Sequence, residues 1–260
     1  MGDRTCMLLM ATAMAMGAIP AAAVDGFSAT NSRRLEALMA SGPGLAVFDA
    51  DGTLWSDDAG EGFYGWLVEQ RRLKGVDYSH DPVAEYFAVE AKDQPLAYGM
   101  AVTQMAGLSE DAVKRWAASY FRVAFAKRVH QPQKNLIAAL RAHGWDVWIV
   151  SASNRWIIQA GAPYVGVDPS HVVGIDLVVR DGVLTDRLAY PVTWGPGKAE
   201  AIARLIARRP DLATGDSRGD LEMLMSARGL ALLVAHPEKA SQKQMRTLAR
   251  RRGWLVQQMP

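Results

Sequence analysis

The chain has 260 residues, half of them hydrophobic and 22% charged, a globular composition with room for one large domain or a core plus a smaller cap. A formal charge of +2 is too small to argue for nucleic acid or an anionic membrane surface as a partner. The single cysteine, Cys6, excludes a disulfide framework.

In chain order, the first 23 residues read as a signal peptide. Arg4 gives positive charge, Cys6 to Ile19 is uncharged and mostly apolar, and Ala21-Ala22-Ala23 are the small residues a signal peptidase requires. The apolar stretch is short for a spanning helix of about 20 residues. Cleavage after Ala23 is expected, giving a periplasmic or secreted protein with no stable membrane association; an uncleaved anchor is the alternative. Ser32 to Met39 has helical spacing and stops at Gly42-Pro43-Gly44. The apolar run Leu45 to Phe48 reads as a buried strand, followed by Asp49-Ala50-Asp51-Gly52-Thr53. Both acids then sit at the C-terminal end of a strand, where open α/β sheets bind ligands. Two carboxylates crowded there repel unless a cation or a shared proton compensates.

From Asp57 to His130 the pattern is helical, with Phe63, Trp66 and Leu67, then Val83, Tyr86 and Phe87, at i, i+3, i+4. Ser109 begins a long helix with Glu110 and Asp111 in its first turn. This stretch, 57–130, reads as an inserted helical cap, leaving 24–56 and 131–260 as the core. A helix over Gln133 to His143 leads to a strand from Val147 to Ser151. Val172-Val173 and Ile175 to Val179 look extended, and Asp181-Gly182 is a hairpin signal before Val183-Leu184. A helix from about Lys198 to Arg208, a strand ending at Thr214-Gly215-Asp216, a helix over Leu221 to Ser226 and a strand from Leu230 to Val234 follow. A terminal helix and a last strand at Trp254 to Val256 complete the chain. Such alternation predicts an α/β fold, a Rossmann-like doubly wound, mostly parallel sheet with a helical cap inserted after the first strand. The basic residues Lys239, Lys243, Arg246 and Arg250 to Arg252 read as a solvated helix face.

Four pieces converge on one edge of that sheet: the Asp49/Asp51 pair; Ser151, with Ser153 and Asn154 behind it as helix caps; Lys198 in Gly195-Pro196-Gly197-Lys198; and Gly215-Asp216-Ser217-Arg218-Gly219-Asp220. Each alone is weak, but in this order they resemble the four motifs of the haloacid dehalogenase superfamily, and the chain is similar to its phosphohydrolases, especially the phosphoserine phosphatase-like members. The helical insert resembles the first cap class of that superfamily. The resemblance implies a phosphatase acting on small phosphomonoesters.

Phosphoryl transfer needs an in-line nucleophile and positive charge around the equatorial oxygens. Asp49 is expected to attack phosphorus and form an aspartyl-phosphate. Asp51 would protonate the leaving alkoxide and then take a proton from water. Mg²⁺ would join Asp49, the backbone carbonyl of Asp51 and Asp216. Ser151 would hydrogen-bond a phosphoryl oxygen, Lys198 would supply a point charge, and Asp220 would support Lys198 or a metal-bound water. Backbone N–H groups of the Gly52 turn would complete the phosphate cradle. By the resemblance, dehalogenases lack an acid at the Asp51 position, so Asp51 favours ester hydrolysis.

Substrate choice is expected from the cap and its hinges near Trp55 to Gly62 and Phe125 to Pro132. By the resemblance an acid near Glu61 receives a substrate ammonium, as in phosphoserine; a helix N-terminal acid favoured by the dipole is the plainer reading. Eight tryptophans raise a second idea, an aromatic cage for a quaternary ammonium such as phosphocholine, although Trp66, Trp116, Trp145 and Trp148 sit in core-packing patterns. A phosphotransferase using the same intermediate and a non-catalytic phosphate-ester binding protein are the alternatives.

Overall fold

A computed structural model describes residues 24–259. The expected signal peptide, its cleavage point and Cys6 lie outside the described residues. Six strands form one sheet: β1 (Leu45–Phe48), β2 (Asp146–Asn154), β3 (Val172–Ile175), β6 (Leu212–Gly215), β7 (Leu230–Ala235) and β8 (Leu255–Gln258). Their order is β3-β2-β1-β6-β7-β8, and every neighbouring pair is parallel. The order turns at β1, which pairs with β2 on one side and β6 on the other. A crevice opens at such a switch point beyond the strand C-termini.

All four residues of β1 are buried, as both faces of a parallel sheet are covered. Alternation divides them: Ala46 and Phe48 pack with α1 (Ala29–Ala40) and α6 (Gln131–Ala142) on one face. Leu45 and Val47 pack with α8 (Pro196–Ala201), α9 (Leu221–Ser226) and α10 (Lys243–Arg252) on the other. Between β1 and α6 lie four helices, α2 (Ala59–Glu69), α3 (Pro82–Glu90), α4 (Gln94–Thr103) and α5 (Glu110–Ala124). Asp58, Asp81 and Asp93 cap the first three, each accepting backbone N–H groups of the first turn. The α5 helix rests on α7 (Arg155–Gly161), with Phe121 edge-on to Trp55 at 4.9 Å.

The chain enters and leaves the four helices side by side. Ser56 N–H donates to Arg128 C=O (3.1 Å), His130 N–H donates to Leu54 C=O (2.8 Å), and Arg128 pairs with Asp57 at 2.5 Å. A two-stranded hairpin, β4 (Leu177–Arg180) and β5 (Val183–Leu188), is bound to the same helices: Gly107 donates to Leu184 C=O, Leu184 to Leu108 C=O and Glu110 to Gly182 C=O.

Three local readings change. The extended run from Ile175 to Val179 breaks at Asp176, which turns aside to pair with Arg155 at 2.9 Å, so β3 and β4 belong to different sheets. The helix from Lys198 begins earlier, at Pro196, widens into a π-turn over Ile202–Ile206 and ends where Ala207 adopts φ 56°, short of Arg208. The strand through Ser151 continues to Asn154. Among the described residues, no helix is long and apolar enough to cross a membrane.

Candidate active site

The loop after β1 is wound tightly. Asp49 N–H donates to Thr214 C=O on β6 at 2.8 Å, which fixes the first acid at the switch point. Gly52 follows with φ +76°, and a Cβ there would lie 2.5 Å from an Asp216 carboxylate oxygen, so only glycine fits. Asp51 Oδ1 accepts from Trp55 Nε1 (2.7 Å) and from the Ala59 N–H (2.7 Å), while Oδ2 accepts from Ser153 Oγ (2.7 Å). Burial nonetheless raises the Asp51 carboxyl above its ordinary value, against those three donors.

Lys198 is 1% exposed at the start of α8. Its ammonium sits between Asp49 Oδ1 at 2.5 Å and Asp220 Oδ1 at 2.6 Å. Asp220 is itself tied down: its Oδ2 accepts from the N–H groups of Asp216 and Ser217 and from the Ser217 hydroxyl. Burial opposes the charged lysine, but Asp220 and Asp49 outweigh it and hold the ammonium above its ordinary value. For Asp49, burial and then the Asp220 charge raise the carboxyl to about 7, with Lys198 pulling the other way. Burial, Asp220 and Asp49 push Asp216 well up.

Four buried or half-buried carboxylates, Asp49, Asp51, Asp216 and Asp220, thus crowd together, and the Lys198 ammonium pairs with two of them, Asp49 and Asp220. Oxygens of Asp49, Asp216 and Asp220 come within 4.8 Å of one another. An all-oxygen donor set with unmet negative charge fits a hard dication such as Mg²⁺. Because Asp220 already serves Lys198 and two backbone N–H groups, Asp49 and Asp216 are the carboxylates left to face the ion. Ser151 is buried on β2; its Oγ accepts from Ser153 N–H at 3.1 Å and its carbonyl from Thr193 Oγ1 at 2.5 Å.

Asp49, Asp51, Ser151, Lys198, Asp216 and Asp220 line one cavity of about 370 Å³, which extends from the strand ends into the helices α2 to α4. The wall there is Tyr64, Leu67, Tyr86, Tyr98, Ala101, Val102 and Met105, with Asp57, Asp58 and Glu61. Glu61 Oε1 accepts from Tyr86 Oη at 3.2 Å, and Glu90 Oε1 accepts from Tyr98 Oη at 3.2 Å. Burial and then the neighbouring Glu90 raise Glu61 to about 7, and burial with Asp51 and Glu61 holds Asp58 well above its usual range. The tyrosines pack loosely, Tyr64 tilted against Tyr86 at 5.4 Å and Tyr86 stacked against Tyr98 at 6.5 Å.

Asp49, Asp51, Gly52, Glu61, Ser151, Lys198, Asp216 and Asp220 therefore all reach the same cavity. Of the tryptophans only Trp194 lines it. Trp55 and Trp156 are buried, Trp66 stacks on Phe63, and Trp148 packs on His171, so on the side of α2 to α4 the aromatic wall is made of tyrosines. Asn154 caps α7, as its position suggests, but Ser153 does not; it bonds Asp51. Trp55 is a further partner of Asp51 that the sequence reading passes over, though its i+4 spacing from that acid is a signal.

The model of the haloacid dehalogenase-like hydrolase family matches residues 46–225. Phosphoserine phosphatase SerB2 of Mycobacterium tuberculosis is 31% identical over 99 residues, 36% of this chain and 24% of that one. Phosphoserine phosphatase SerB1 of the same organism is 26% identical over 201 residues, 74% of this chain and 58% of that one. The chain thus spans less than two thirds of either relative. The crystal structure of a Bordetella pertussis Tohama I protein of unknown function shares the fold, with a TM-score of 0.69 at 20% identity over 83% of this chain and 98% of that one.

Proposed function

Because the chain belongs to the haloacid dehalogenase-like hydrolase family, we propose that it is a Mg²⁺-dependent phosphatase of small phosphomonoesters, working through an aspartyl-phosphate on Asp49. The observation that carries this reading is the Lys198 ammonium gripped between Asp49 and Asp220 at the floor of a cavity that also holds Asp51. Lys198 occupies Asp49 Oδ1, so Oδ2 is the oxygen free to attack phosphorus. The Asp49–phosphorus bond forms as the ester oxygen leaves. Asp51 gives that oxygen its proton, then takes one from the water that cleaves the acyl phosphate and restores the Asp49 carboxylate. Ser153 serves both states of Asp51, since a hydroxyl donates to a carboxylate and accepts from a carboxylic acid. Asp49, the Asp51 carbonyl and Asp216 would hold Mg²⁺, which offsets repulsion between the carboxylates and the phosphate. Ser151 would orient a phosphoryl oxygen; the N–H groups of Gly52, Thr53 and Leu54, expected to complete the cradle, instead donate to the Trp55 and Ala50 carbonyls, because the turn closes on itself.

The leaving group would then lie between the tyrosines and Glu61. Among the described residues that line the cavity, the basic ones are Lys198, Arg218 and Lys239, all from the core, whereas the cap wall carries tyrosines and carboxylates. That wall suits an ammonium, with ring faces and a carboxylate to receive it, and among the described residues that line the cavity it presents no charged donor to the α-carboxylate of phosphoserine. The favoured substrate is a phosphorylated amino alcohol of the phosphocholine kind. Export after cleavage behind Ala23 belongs to the same reading, and amino-terminal sequencing of the secreted or periplasmic protein tests it.

A Mg²⁺ assay comparing wild type with Asp49→Asn decides the chemistry. A loss of about 10³-fold or more is expected, and activity surviving in pure variant removes Asp49 as nucleophile. For the leaving group, kcat/KM for phosphocholine should exceed that for phosphoserine and 4-nitrophenyl phosphate by about tenfold. If neither amine ester outruns the aryl ester, amine recognition is wrong.

A further inference from the structure

Beyond β7 the chain turns back across the strand ends as His236-Pro237-Glu238-Lys239-Ala240-Ser241-Gln242 before α10 begins. Two of these side chains reach behind the loops that carry Asp51 and Asp216. His236 Nε2 lies 2.7 Å from the Gly52 carbonyl and 3.6 Å from Asp216 Oδ2. Both neighbours only accept, so Nε2 carries the proton and donates to Gly52. Gln242 is buried with its whole amide engaged: its oxygen accepts from His236 N–H (2.7 Å), and its nitrogen donates to Asp216 C=O (2.6 Å) and Val234 C=O (3.1 Å).

The consequence lies in the peptide between Asp51 and Gly52. Its carbonyl belongs to Asp51 and its N–H to Gly52. That N–H donates to Trp55 C=O at 2.9 Å, and His236 holds the next carbonyl, so the Gly52 backbone is fixed at both ends and the Asp51 carbonyl cannot rotate freely. Gln242 fixes the backbone of Asp216 in the same way. The two contacts reach across 184 and 26 positions of sequence, and Gln242 joins them through the His236 N–H.

We propose that His236 and Gln242 are positioning residues that set the spacing between the Asp51 carbonyl and Asp216, and thereby the affinity for the metal ion. The proposal rests on the reading of those two groups as metal ligands. Partners standing behind ligands typically change metal affinity by about 10- to 100-fold.

The test is Mg²⁺ binding to metal-free protein by titration calorimetry, beside the Mg²⁺ activation constant, kcat and the melting temperature of the metal-free form. His236→Ala should raise the Mg²⁺ Kd about tenfold or more, with the activation constant rising in step and kcat falling by less. His236→Gln, whose amide nitrogen can donate to the Gly52 carbonyl, should recover most of that loss. Gln242→Met, similar in volume without the amide, should shift the Kd in the same direction as His236→Ala. A His236→Ala protein that melts lower but binds Mg²⁺ as tightly as wild type overturns the proposal, because a merely structural role predicts that. Equal weakening in the Ala and Gln variants also overturns it. Where His236→Ala does not fold, His236→Asn, too short to reach the carbonyl, takes its place: weakened Mg²⁺ binding supports the proposal and unchanged binding overturns it. Wild type that binds no Mg²⁺ overturns the metal reading itself, an outcome distinct from wild type that binds and variants that bind equally well.

Discussion

The two ends of the cavity are built on opposite plans. At the strand ends most of the charged groups are held by hydrogen bonds: Lys198 lies between two carboxylates, Asp220 accepts three further donors, and Asp51 accepts three, with the Asp216 carboxylate left over. At the cap end Asp58, Glu61 and Glu90 crowd together without an ammonium or guanidinium among the cavity's cap residues, and tyrosines close the gaps. Saturated hydrogen bonding holds a reacting group in one geometry, as chemistry that must place atoms within a fraction of an ångström requires. Unmatched negative charge instead favours a cationic ligand, because binding relieves the repulsion that the free protein carries.

Breaking the saturated end should have the largest effect. Lys198→Met leaves Asp49 and Asp220 buried without their counter-charge, so we expect destabilisation of about 3–5 kcal/mol by chemical denaturation and loss of nearly all turnover. A variant as stable and active as wild type would mean the ion triplet is decorative. Ser153→Ala removes one donor from Asp51 and should lower kcat by about tenfold, with KM nearly constant, for phosphocholine and aryl phosphate alike. At the cap end the effect should be smaller and selective. Glu61→Gln is expected to raise KM for phosphocholine about fivefold while aryl phosphate turnover stays the same; a uniform loss on both substrates would place Glu61 in the chemistry instead.

The smallest effect concerns pH. Glu61 rises from 4.5 to about 7 in the fold, so the folded state holds this proton more tightly than the unfolded chain. The group's contribution to stability is complete below pH 4.5 and is lost as pH rises through about 7. Glu61→Gln resembles the protonated form, and its melting temperature relative to wild type should therefore be higher at pH 8 than at pH 5, by about 2 °C. A difference of the opposite sign would show that Glu61 is ionised and favourably paired.

What is legible in the sequence follows the same division. The acids, Ser151 and Lys198 each stand at a strand end or helix start, and a parallel sheet brings all its strand ends to one edge, so local reading is enough to gather them. The cap's Tyr64, Tyr86, Tyr98 and Glu90 come from three separate amphipathic helices. Their meeting depends on how those helices cross, which periodicity does not encode. Ser153 reads as a helix cap in a sequence whose strand is expected to stop at Ser151; the strand runs on to Asn154 and carries Ser153 to Asp51. His236 and Gln242 carry no motif, and their contacts span distances at which sequence pattern says nothing.

On the proposed mechanism, the hydrogen bond from Ala59 N–H to Asp51 Oδ1 would also tie the timing of the reaction to the shape of the protein. Ala59 is the first residue of α2, so the Asp51 carboxylate is held in part by the helical insert itself. Were that insert to lift, it would take the donor with it, leaving Asp51 a more reluctant carboxylate. On the proposed mechanism such an opened molecule would be a poor catalyst before any substrate is counted, and water entering it would meet an acid not yet set for work.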